Sequence, residues 1–237
     1  GMKPDQVAAL SREVLGAMKP SQAAELTQRA VGALQRGQVG ALKPAAVGDL
    51  SKRQLGAIDP AAMKGVTGAQ FRQIAPADID ALSVAQVSAM QTSVFEAMKP
   101  SQAAELSRRA VGALEKAQIA ALVPAAVGEL SAGQISAIDP AAVPGIDAEQ
   151  IEEIPTELID AITPEQVAEL QPDTLAGLTD DQLGELSEDQ ADALSLVQVN
   201  ALTEDQIDAL EPDVAEIVTE TSVDFTAATA AAEVAAA

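Results

Sequence analysis

The chain has 237 residues, a net charge of −22, and 48% apolar residues, yet only three aromatics, Phe71, Phe95 and Phe225. It contains no Cys, His, Trp or Tyr, which excludes disulfides, thiolate and imidazole metal sites, Ser-His and Cys-His nucleophile pairs, and aromatic platforms for bases or sugars. Such a chain can bury a thin aliphatic core, and its charge argues against nucleic acid, because phosphate contacts need Lys and Arg.

The first residues, Gly1-Met2-Lys3-Pro4, lack the apolar stretch of a signal peptide, and no run anywhere approaches the length of a membrane span. From Lys3 onward the sequence divides into 27 consecutive octads, ending at Val218. Position 5 is apolar in every octad, and position 8 is always Leu, Ile, Met or Val. Eight residues are about 2.2 turns of α-helix, so on one continuous helix the apolar stripe would rotate by roughly 80° per octad and could not stay buried. Eleven of the 13 prolines stand at position 2, where a helix can begin but not continue. Each octad therefore predicts its own short helix. Position 1 is Ser, Thr or Asp in 15 octads and serves as its cap, with a capping-box partner three residues later.

That partner position shows a second period. Gln fills position 4 in 13 of the 14 odd-numbered octads: Gln6, Gln22, Gln38, Gln54, Gln70, Gln86, Gln102, Gln118, Gln134, Gln150, Gln166, Gln182 and Gln198. Even-numbered octads carry it only at Gln190 and Gln206. Capping alone does not account for the row, because Gln22 and Gln102 persist where position 1 is Lys19 or Lys99, which cannot accept a hydrogen bond. The amides are expected to tie coils together through backbone groups. The expected fold is all-α: an elongated solenoid, or superhelix, of very short helices, one per 8-residue repeat, with two helices per 16-residue coil. About 13 coils would then make a rod on the order of 100 Å long, stabilised by stacking because helices this short are marginal alone. Position 6 is often Gly, which predicts either close approach of neighbouring helices or a loose exit turn.

Met18 to Gly65 recurs nearly intact as Met98 to Gly145, an internal 80-residue duplication equal to ten octads, or five such coils. Charge changes sharply after it. All 14 bases lie at or before Lys116, with 10 acids, giving +4; the rest of the chain has 26 acids and no base, giving −26. Acids recur there at position 3, as Glu149, Glu157, Glu165, Asp173, Asp181, Asp189, Asp205 and Asp213, and are expected to project as ladders with coil spacing. That spacing is too wide to chelate one ion, leaving diffuse divalent-cation binding. The span 3–218 is read as the solenoid domain, and 219–237 as an Ala/Thr-rich tail, either a cap or disordered.

Octads such as Thr163-Pro-Glu-Gln-Val-Ala-Glu-Leu170 and Ser83-Val-Ala-Gln-Val-Ser-Ala-Met90 resemble the T-x-x-Q-V-A-A-L tandem repeats of long bacterial adhesin-like surface proteins. The resemblance implies a bacterial structural or surface role and an extracellular or cell-surface location. Ile162 to Val167 is also similar to the opening of transcription activator-like effector repeats, but neither the 34-residue period nor the base-reading loop of that family is present. The functional expectation is a non-enzymatic spacer without cofactor, metal site or membrane insertion, capable of weak head-to-tail self-association. The alternative is a binding module whose acidic half engages a basic protein partner or imitates nucleic-acid charge.

Overall fold

The computed structural model describes residues 2–219, and the chain from 220 to 237, which holds nearly all of the expected cap or disordered tail, lies outside them. The described chain is a solenoid of short helices with no strand among the described residues. Every octad forms one helix, from Pro4–Ala8 in the first to Glu204–Asp208 in the twenty-sixth, and the last begins at 212.

The octad Thr163 to Leu170 shows why. Thr163 is extended, its hydroxyl accepts from the Gln166 N–H, and Gln166 Oε1 accepts from the Thr163 N–H at 2.8 Å. Pro164 occupies the first helical position, where its missing N–H costs nothing. The Thr163 carbonyl accepts from Val167 N–H, and the helix closes as Leu170 N–H donates to the Val167 carbonyl at 3.1 Å. Leu170 then leaves helical geometry and enters the next octad. At Lys19 and Lys99 only half of this box forms: Gln22 and Gln102 still accept from the Lys N–H, while the Lys side chain has nothing to accept with. Three helices, Pro76–Ala81, Pro140–Gly145 and Thr156–Ala161, are wound as 3₁₀; in the second, Pro144 lacks the N–H for an α-type bond.

The coil is longer than the two octads expected. Helices pack on the helix three octads away: Pro20–Ala24 on Pro44–Gly48, Pro44–Gly48 on Gly68–Phe71, Lys116–Ile119 on Pro140–Gly145. The Gln amides reach back 28 and 31 residues, and position 6 approaches a carbonyl of the coil ahead, as Gly112 does that of Ala137. With helices packed three octads apart and amides bonded four octads back, one turn takes between three and four octads, about three and a half. The physical reason is closure of the core. Two helices per turn would leave position 5 and position 8 side chains open on two sides, whereas three to four helices surround them. Fewer than eight turns replace the 13 coils expected, and with neighbouring helices ~8–10 Å apart the rod is roughly 60–80 Å long. The duplication, at ten octads, is just under three turns, so its two copies do not repeat the same orientation about the axis.

The core runs the length of the rod. Position 5 is buried from Val7 to Val199 and position 8 from Leu26 to Val218, with Leu10 and Met18 only partly covered. Ala30, Ala46, Ala62, Ala110, Ala126 and Ala142, at position 4 of even octads, complete it. An interior space of about 10 Å³ among Val127, Ile135, Ile151 and Gln166 is at the limit for one water molecule.

Of the two readings of position-6 glycine, the structure shows close approach. No described glycine has positive φ, so no left-handed turn requires one. A Cβ on Gly128 would stand 2.5 Å from the Glu153 carbonyl oxygen of the next coil. Gly65 and Gly145, at position 7 of equivalent octads in the duplication, lie still closer to the carbonyls of Arg36 and Lys116.

Candidate functional site

The feature most strongly organised by the repeat is the Gln row. In Gln70 the Oε1 accepts from the Thr67 N–H of its own octad at 2.8 Å, while Nε2 donates to the carbonyls of Val39 at 2.9 Å and Leu42 at 2.7 Å. The same double donation joins Gln86 to Leu55 and Ile58, Gln102 to Phe71 and Ile74, and Gln166 to Ile135 and Ile138. From Gln38 to Gln198 every member of the row is buried and linked to the octad four units earlier. Gln6 and Gln22, in the first turn, are exposed and only cap their own helices. Among the described residues no buried side-chain nitrogen or oxygen lacks a partner. With both protons engaged and the side chain buried, a row Gln from Gln38 to Gln198 presents no donor to a ligand at the surface.

The row extends past its sequence period. Gln190 and Gln206, in even octads, donate to Ile159 and Ala176, and Thr174 Oγ1 donates to the Ile146 carbonyl at 2.9 Å. Thr174 shares position 4 with the glutamines, and that position is the only sequence sign of its role.

The eight position-3 carboxylates, Glu149, Glu157, Glu165, Asp173, Asp181, Asp189, Asp205 and Asp213, all reach the surface, and none is buried. Successive octads are rotated about the axis by the three-and-a-half-unit turn, so these residues spread around the rod and do not form one ladder. A shallow surface groove brings Glu188, Asp189, Glu211 and Asp213 to one face. No group of three or more acids among the described residues could hold a metal ion. Glu165 titrates below the ordinary carboxylate range because it accepts from its own backbone N–H and from the Thr163 hydroxyl. In the basic half, Lys52 bonds Asp80 in the next coil at 2.7 Å, and this hydrogen bond raises the Lys52 pKa. Both partners are about half exposed, so the pair contributes little to stability.

No helix among the described residues is long and apolar enough to cross a membrane. The fold defines the class of protein, an α-solenoid built from octads. Comparison with protein-family models and with curated proteins returns no match.

Proposed function

We propose that the chain is a non-enzymatic structural spacer, a stiff rod that holds its two ends a set distance apart. The observation that carries this reading is the unbroken Gln bonding: from Gln38 to Gln206, side-chain amides tie each turn to the previous one through backbone carbonyls. Such ties resist bending and unwinding, and they recur in every turn from Gln38 to Gln206. The resemblance to bacterial surface repeats supports a role outside the cell. Small-angle scattering tests the reading. A spacer has a maximum dimension near the ~60–80 Å set by its stacked helices, and that dimension stays the same from low to high salt. A dimension that shrinks with salt would contradict stiffness.

A second reading rests on the charge distribution: the half beyond Lys116 carries 26 acids and no base, and its position-3 carboxylates reach the surface. Such a surface would recruit a basic protein partner electrostatically. If replacing the eight position-3 carboxylates by amides left capture of polylysine unchanged, this reading would fail.

A further inference from the structure

The turn of three and a half octads lines up surface residues that the octad itself scatters. Residues 28 apart fall one turn apart on the same side of the rod, as the ion pair between Lys52 and Asp80 shows. One such line carries Lys43, Arg72 and Lys99 on successive turns, each within one residue of that spacing. On the following turn it reaches Glu129, and Glu157, Glu185 and Asp213 then repeat at intervals of 28. All of these side chains are exposed, and none has an ion-pair partner among the described residues. The line through Lys52, Asp80 and Arg108 instead alternates in sign. The first line is therefore a stripe along the side of the rod whose sign reverses once, from base to acid, and it involves neither end of the solenoid.

We propose that two copies of the chain pair side by side and antiparallel along this stripe. Read in the two opposite directions, the stripe is its own complement. A twofold axis at Glu129 sets Arg72 of one copy opposite Glu185 of the other, Lys99 opposite Glu157 and Lys43 opposite Asp213, and symmetry makes each contact twice. Because these charges recur at the length of a turn, they run along the axis and do not wind around it, so two rods of the same sequence stay in register over several turns. Parallel pairing would set like charges together along the whole stripe. Each exposed ion pair is worth little alone, and the pairing depends on all of them engaging together. The remaining acids of the second half face solvent, where physiological salt screens their repulsion beyond about 8 Å. Both copies use the same surface, so the assembly closes at a dimer. The inference deepens the charge reading above, on which it rests: the basic partner of the acidic half is the first half of a second copy.

Sedimentation velocity of the full chain over a concentration series, at moderate and at high salt, tests it. The wild type is expected to pass from monomer to dimer as concentration rises, to stop there, and to return to monomer in high salt. Arg72→Glu sets an acid against Glu185, and Glu185→Lys sets a base against Arg72, so each variant alone should lose the dimer. The fold accepts Glu at the place of Arg72, since Glu96 holds the same position of its own octad, and circular dichroism checks that both variants keep their helix content. An equal mixture of the two should recover the dimer, because in the mixed pair both contacts between positions 72 and 185 join opposite charges. Glu129→Gln removes the one like-charge contact, at the twofold axis, and should tighten the dimer. A wild type that is monomeric at all concentrations, growth past dimer, an R72E protein that dimerises like the wild type, or a mixture that stays monomeric while both variants keep their helices would overturn the proposal. A monomeric wild type that still captures polylysine would overturn the pairing and leave the charge reading standing.

Discussion

The side-chain amide of Gln102 donates to the carbonyl of Phe71, 31 residues earlier, at 2.8 Å, in a site where Gln102 is fully buried. Its second proton goes to Ile74 and its oxygen receives the Lys99 N–H, so one side chain satisfies three backbone groups in two coils.

Replacing Gln102 by Leu leaves two buried carbonyls and one N–H without these partners, and stability should fall by about 2–4 kcal/mol. Gln22→Leu, which removes a cap but spans no coil, should cost only ~0.5–1 kcal/mol. Denaturant titration followed by circular dichroism compares the two. Equal losses would mean that the row only caps helices.

Two glycines separate close approach from helix propensity. A methyl on Gly145 would overlap the Lys116 carbonyl, so Gly145→Ala should destabilise by at least ~1–3 kcal/mol. Gly133 lies within the helix Ala132–Ile135, and the nearest atom to an added Cβ is the Arg108 Cδ at 3.9 Å. Gly133→Ala should therefore stabilise by ~0.5–1 kcal/mol. Thermal melts of both variants give the signs.

Much of the fold was legible because two constraints repeat 27 times. Apolar positions 5 and 8 with Pro at position 2 allow only a short helix in each octad, and the helices begin at those prolines or one residue past a cap such as Ser11 or Thr27. Coil length was not legible. The two-octad alternation of Gln records which octads carry an amide, but Gln70 bonds an octad four units back, and offsets of two and of four octads both join octads of the same parity. Only the turn angle between octads distinguishes them, and that angle depends on packing around the axis. Thr174 was missed because a hydroxyl at a Gln position carries no periodic signal until its partner Ile146 is known.

Titration gives a local test of the caps. The carboxyl of Glu165 is lowered by its own N–H and by Thr163, so its contribution is present above the unfolded-state pKa and is lost as pH falls through the lower folded value. Carboxyl-detected NMR titration should place Glu165 below the ordinary carboxylate range, and Thr163→Val should move its midpoint upward. An unchanged midpoint in that variant would remove Thr163 as a cause.

The central claim is the turn of three and a half octads, and the absence of native cysteine allows a direct measurement. A Cβ on Gly133 would meet only the side chain of Arg108 in the previous coil, with the Cδ at 3.9 Å, so both positions accept a cysteine. A short reagent that bridges two thiols should join the pair Gly133→Cys and Arg108→Cys, whereas Gly133→Cys with Ala117→Cys, separated by the two octads of the shorter coil, should stay unlinked. Linking of the second pair and not the first would contradict the architecture.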